Sequence, residues 1–213
     1  MPTYKHLPTE KRFLFVHIPR TAGRFFEENL KLNNFEVEQK NIWETIDGVE
    51  LAHFHKDLYE KHLDVKKIPH ISIIRNPIDR FFSSSIFIRR MYGDDIDDLL
   101  EDPTYFYSIL QNFPLSQSVN WFRNQVDFIS DKTNIWKFEN KFGVDFGNWI
   151  EKILGVPFKI YDVPYSKLST DEDNKIVRSA KIIDNLRTFY RRDLEQLYPE
   201  LATSLQERSK TKT

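Results

Sequence analysis

Apolar residues along this chain fall into short unbroken runs separated by stretches with helical spacing. Phe13, Leu14, Phe15, Val16 and Ile18 form the first such run, and they predict a buried strand over residues 13–18. From Ala22 the pattern changes: Phe25, Phe26 and Leu30 share one side, and Glu27, Glu28 and Lys31 the other, predicting an amphipathic helix over residues 22–32. The Asp47-Gly48 turn signal precedes a second expected strand at residues 49–54, followed by a short helix at residues 56–63. His70–Ile74 is a third buried strand, introduced by Pro69. It stops at Arg75-Asn76-Pro77, where proline suits the first turn of a helix running to about Tyr92.

Further along, residues 94–102 predict an acidic loop or short helix, and residues 104–124 a helical stretch interrupted by Pro114. A strand is expected at residues 134–138, a helix at residues 145–154 with Asp145 as N-cap, and a long amphipathic helix at residues 171–201. Residues 1–11, polar and containing Pro2 and Pro8, read as a flexible tail, as do residues 206–213. Strands alternating with helices imply one α/β domain: three layers, α/β/α, around a mostly parallel central sheet. Ligands of such sheets sit at the carboxyl ends of the strands.

Composition narrows the function classes. The net charge of -1 over 213 residues gives no general attraction for nucleic acid, so any anion site must come from local clustering of positive charge. With no cysteine, disulfides, thiol nucleophiles and thiolate metal sites are excluded, which fits a reducing cytoplasm. No run approaches the ~18 apolar residues of a membrane span, so no membrane partner is expected. Asp94, Asp95, Asp97 and Asp98 lack the ligand spacing of a calcium loop, and no metal is expected. Eighteen Phe and four Trp point instead to aromatic packing and stacking.

Two strand-to-helix junctions are basic. The first is His17-Ile18-Pro19-Arg20-Thr21-Ala22-Gly23-Arg24-Phe25, a loop opening into a helix whose backbone N–H groups can face an anion. It lacks the Gly-Lys-Ser/Thr of a Walker A loop, which argues against ATP with magnesium. The second is Arg75-Asn76-Pro77-Ile78-Asp79-Arg80-Phe81-Phe82-Ser83, which offers a guanidinium fork and a hydroxyl two turns into the helix. Two anion sites at neighbouring strand ends suggest a ligand with phosphates at both ends.

Both junctions resemble one family. The first is similar to the 5′-phosphosulfate loop of carbohydrate-type sulfotransferases, usually His-Ile-Pro-Lys-Thr-Gly-Gly-Thr. The second is similar to their 3′-phosphate motif, Arg-x-Pro-x-x-Arg-x-x-Ser. Residues 114–122, with Gln117 and Trp121, and Trp136-Lys137-Phe138-Glu139 are weaker echoes of later family segments. The resemblance implies a P-loop-NTPase-like sulfotransferase fold and 3′-phosphoadenosine 5′-phosphosulfate (PAPS) as donor, with no metal. Arg20, Thr21, Ala22, Gly23, Arg24 and Phe25 would line the 5′ end, and Arg75 and Ser83 the 3′-phosphate. Arg20 replaces the family lysine and Arg24-Phe25 its hydroxyl pair. An arginine neutralises a leaving group but, with a pKa above ~12, does not readily donate a proton.

The acceptor is expected to be a hydroxyl compound, a carbohydrate by resemblance. Its base is expected to be His53, with His55 orienting the acceptor or acting in its place; in Leu51-Ala52-His53-Phe54-His55, strand alternation would put both on one face. Ala52-His53 is similar to a Gly-His segment of the family. Residues 40–50, 91–113 and 161–173 are the expected acceptor-selecting segments, and a cytoplasmic bacterial or viral enzyme is implied by analogy. Two other readings stand beside this one: a P-loop-like nucleotide kinase or NTPase, and a non-catalytic binder of nucleotide or sulfated ligand.

Overall fold

The computed structural model describes residues 1–92, 120–163, 178 and 180–202. Its centre is a five-stranded sheet of β1 (Thr3–His6), β2 (Arg12–Val16), β3 (Phe35–Val37), β6 (His70–Ile74) and β7 (Thr133–Lys137). A separate two-stranded hairpin comprises β4 (Thr45–Ile46) and β5 (Val49–Glu50). The order across the main sheet is β3-β1-β2-β6-β7. β2, β6 and β7 are parallel, pairing Leu14 with His70 and His70 with Thr133, whereas β1 is antiparallel to both β2 and β3. The sheet is therefore mixed rather than mostly parallel. The extra strands come from the expected polar tail and from residues 35–37, where the sequence predicts no element: Tyr4 buries against Phe13, and Phe35 meets Phe13 edge-on.

Strand alternation sends side chains to two cores. Phe13, Phe15, Ile71 and Ile73 face a layer formed by α1 (Gly23–Leu32) and α4 (Val144–Leu154), through Phe26, Leu30, Phe146 and Ile150. Leu14, Val16 and Ile74 face the opposite layer, with Leu58 and Tyr59 of α2 (Lys56–His62) and Leu194 of α6 (Arg191–Leu197). A third cluster joins α3 (Pro77–Tyr92) to α5 (Ala180–Phe189) through Phe81, Phe82, Leu186 and Phe189. Among the described residues no helix is long and apolar enough to cross a membrane.

Several boundaries differ from the sequence expectation. Residues 49–54 are not one strand. Asp47 and Gly48 both take positive φ, 52° and 79°, and close a tight hairpin. β5 then passes directly into a 3-10 turn, Leu51–His53. The N-cap of α4 is Gly143, so Asp145 lies in the first turn. The long C-terminal helix bends at Tyr190, whose buried hydroxyl donates to Phe122 O at 2.8 Å. Residues 94–102, 104–119, 171–177 and 206–213 lie outside the described residues.

The bend at Tyr190 carries Asp193 of α6 into the core. Its carboxylate accepts the backbone N–H groups of Gln125 at 2.9 Å and Val126 at 3.0 Å. The Gln125 side chain in turn accepts from Arg75 N at 3.0 Å and donates to Arg75 O at 2.8 Å. Burial pushes Asp193 above the usual carboxylate range, opposed by the Arg80 charge and these hydrogen bonds. Asp193→Ala leaves buried N–H groups without acceptors, and the expected loss is about 3 kcal/mol. Urea denaturation checks it, and a loss below about 1 kcal/mol contradicts this account.

Candidate functional site

The carboxyl ends of β2, β6 and β7 lie side by side, so the three segments that follow them meet at one edge of the sheet. After β2 the backbone turns sharply: Arg20 and Ala22 take left-handed φ values of 68° and 76°. Such conformations are unfavourable for residues with a Cβ and mark functional loops. Thr21, fully buried, closes the turn by donating its hydroxyl to Ile18 O at 2.8 Å. α1 then starts with no side-chain cap and no acidic residue in its first turn. Its leading N–H groups therefore face the loop without a carboxylate of their own.

Gly23 is required by a close approach. A Cβ there would lie 1.8 Å from His17 Nε2. The His17 ring cannot easily yield, because it is buried, stacks on Phe15 at 5.1 Å and packs on His53 at 5.0 Å. Glu27 Oε1 approaches His17 Nδ1 at 3.5 Å without forming a hydrogen bond. Burial drives both groups toward their neutral forms. It lowers His17 well below the ordinary histidine value, with the His53 and Arg24 charges adding to the effect, and it raises Glu27 to about 7.

The two basic junctions form one site. Arg20 Nε donates to Ser83 Oγ at 3.1 Å, and Arg75 Nη1 reaches Arg20 O at 3.4 Å. The Arg20 guanidinium lies 4.9 Å over the Phe87 ring, and that of Arg75 lies 4.6 Å over Phe138, in the turn after β7. Arg75 has no carboxylate within ion-pair distance among the described residues, because Asp79 pairs with Arg178 at 2.7 Å. Arg24 is exposed on the first turn of α1, and Phe25 packs on Phe142 at 4.9 Å. Asn76 caps α3 through Oδ1, which accepts the N–H of Ile78 at 3.0 Å. A cavity of about 200 Å³ between the start of α3 and α5–α6 lies off this cluster, lined by Asn76, Asp79 and Arg187 among others.

Beneath the junction, Arg80 is fully buried. Its guanidinium donates to Pro19 O at 3.5 Å, to Trp121 O at 3.2 Å and to Arg123 O. This one side chain ties the loop after β2 to α3 and to residues 121–123. Sequence reading quoted Arg80 in a motif without giving it this task.

His53 ends the 3-10 turn, with its ring buried against His17 and against Trp121 at 5.4 Å. Its Nδ1 lies 3.0 Å from Glu50 Oε2, and Asn120 Nδ2 donates to its backbone oxygen at 2.8 Å. Burial lowers the His53 pKa, partly offset by the Glu50 hydrogen bond and charge. The ring is therefore neutral at pH 7. With Nδ1–H donating to the carboxylate, Nε2 carries the lone pair. Glu50 was missed from sequence, although the spacing Glu50-x-x-His53 was visible.

His55 is placed differently. It stands at the N-cap position of α2, buried, with Nε2 lacking a hydrogen-bond partner among the described residues. Burial and then the Arg123 charge lower its pKa. The two histidines do not share a strand face, because His53 lies in the 3-10 turn and His55 at the N-cap of α2. Gln117 lies outside the described residues.

No family model, curated protein or solved structure matches this chain.

The tightness at Gly23 gives a direct test. Gly23→Ala is expected to cost about 1–3 kcal/mol through overpacking against His17. Combining it with His17→Ala should restore part of the loss, and a double-mutant cycle in urea reads the coupling. Strict additivity would show that the close approach does not constrain the loop.

Proposed function

We propose that this protein is a sulfotransferase that moves a sulfuryl group from PAPS to an alcohol, with a carbohydrate as acceptor. The observation that carries the reading is the Arg20–Ser83 hydrogen bond at 3.1 Å, which makes one cationic site of two separate sequence motifs. A mononucleotide with anionic groups on both its 3′ and 5′ oxygens needs such a paired site, and a single-phosphate ligand does not. The neighbouring His53–Glu50 pair supplies the base that an alcohol acceptor requires.

In this reading, the loop N–H groups at the start of α1 and the guanidinium of Arg20 hold the 5′ end of the donor. Arg75 and Ser83 hold its 3′-phosphate. His53 Nε2 takes the proton from the acceptor hydroxyl while Glu50 steadies the imidazolium that forms. The acceptor oxygen bonds to sulfur, and the bond from sulfur to the 5′-phosphate oxygen breaks. The electron pair of that bond stays with the phosphate, whose growing charge Arg20 neutralises. Arginine suits this task because it stays charged, and no proton need pass to the leaving phosphate. His55, at the start of α2, has no carboxylate orienter among the described residues and is assigned no step.

Two other chemistries are separated by the same measurements. A kinase or NTPase predicts that nucleotide binding depends on magnesium. A non-catalytic binder predicts tight binding of the desulfated donor with no turnover. Transfer of labelled sulfate from PAPS to a panel of alcohols, without magnesium, is the outcome expected here.

Variants of the base pair test the roles. His53→Ala is expected to lower kcat by about 10²–10⁴-fold with donor affinity retained. The wild-type rate should rise with pH through a value below the ordinary histidine pKa of about 6.5, because burial lowers His53. Glu50 raises the His53 pKa, so Glu50→Gln should move that acid limb to still lower pH while reducing kcat. An acid limb that stays in place or moves up in Glu50→Gln would remove Glu50 from the mechanism.

A further inference from the structure

A continuous row of rings connects the two reacting ends of the site. The Arg20 guanidinium lies 4.9 Å over Phe87, and Phe87 stacks on Trp121 at 4.6 Å with an interplanar angle of 26°. Trp121 packs on His53 at 5.4 Å, and His53 meets Trp43 at 6.1 Å. Trp43 is 57% exposed, whereas Trp121, Trp136 and Trp149 are partly buried. Its exposure does not come from an unanchored backbone: Ala52 N donates to Ile42 O at 2.7 Å, and Leu51 N to Glu44 O at 2.8 Å.

We propose that Trp43, continued by Trp121, is the stacking platform for the acceptor, and that the acceptor class is a neutral pyranoside. The inference rests on the transfer reading above. An acceptor oxygen in reach of both His53 and a sulfur beside Arg20 must pass along this row, so the ring that carries it lies against aromatic faces. The apolar C–H face of a pyranose fits a tryptophan plane, and its hydroxyls are left for the polar rim. The segment that carries Trp43 also carries the exposed Glu44, and Glu50 lies at His53 Nδ1, which favours a neutral ring over a uronate or an already sulfated one. A phenol would stack equally well. It is far more acidic than an aliphatic hydroxyl, however, and has less need of the His53–Glu50 base.

Saturation-transfer NMR on the full chain, loaded with 3′,5′-adenosine bisphosphate, tests this. The probes are methyl β-glucopyranoside, methyl β-galactopyranoside, methyl β-glucuronide, sorbitol and 2-naphthol. The neutral pyranosides should bind at about millimolar affinity, and Trp43→Ala should weaken them about tenfold, with Trp43→Phe close to wild type. Bisphosphate affinity should stay within about twofold in both variants. Equal binding of sorbitol, preference for the glucuronide or naphthol, or an unchanged pyranoside affinity in Trp43→Ala overturns the proposal. Absence of pyranoside binding while the bisphosphate binds also overturns it and leaves the donor site standing. Failure to bind the bisphosphate at all removes the transfer reading, and this inference with it.

Discussion

The site depends on a buried charge. Arg80 is fully enclosed, and a guanidinium taken out of water costs several kcal/mol unless polar groups replace its hydration. Three backbone oxygens do so, from Pro19, Trp121 and Arg123, while Tyr190 lies 5.8 Å away with its ring toward the cation. Those oxygens belong to the loop after β2 and to the segment leading toward β7. The Arg80 Nε–H has no hydrogen-bond partner among the described residues, so the compensation also leans on the nearby carboxylate of Asp193. The desolvation cost thus becomes a positional constraint: the segments cannot separate without exposing the ion or orphaning it.

Asp193 extends this constraint to the second junction. It accepts the N–H groups of Gln125 and Val126, and Gln125 brackets Arg75 by bonding to both its N–H and its carbonyl. Arg75 is thereby held at the end of β6 through a chain that starts on the last helix. Arg20, Arg24 and Arg75 are exposed or half-buried at the strand ends, whereas Arg80 and Asp193, the charges beneath them, are buried. Rigid support beneath a half-open first layer is what charge stabilisation needs, since donors that must reorganise lose most of their effect.

The parts of this architecture that could be read from sequence were those written in contiguous residues. β2 and β6 announce themselves as apolar runs, α1 by its helical period and α3 by the proline of its first turn. The two basic junctions were legible because each is a single short motif at a strand end. β1 and β3 were not, because Thr3–His6 is polar in composition and Phe35–Val37 has only three residues, too few to show alternation. The Arg75–Gln125–Asp193 chain spans 50 and then 68 residues, and nothing local marks it. Likewise, Tyr190 bends a helix whose amphipathic pattern runs on unbroken, because the cause is a tertiary hydrogen bond to Phe122.

The Glu50–His53 contact arises from a 3-10 turn where the sequence predicts a strand. On a strand, residues three apart point to opposite faces, so Glu50 and His53 would never meet. A 3-10 turn has three residues per turn and eclipses i with i+3, which brings the carboxylate to 3.0 Å from Nδ1. The same turn removes His55 from the face it would share with His53 and sends it to the start of α2. Burial alone would leave His53 a weak base, and the carboxylate restores part of its basicity while fixing which nitrogen carries the lone pair. In the proposed reaction, what distinguishes His53 from His55 is therefore not exposure, since both are buried, but the Glu50 carboxylate one turn away.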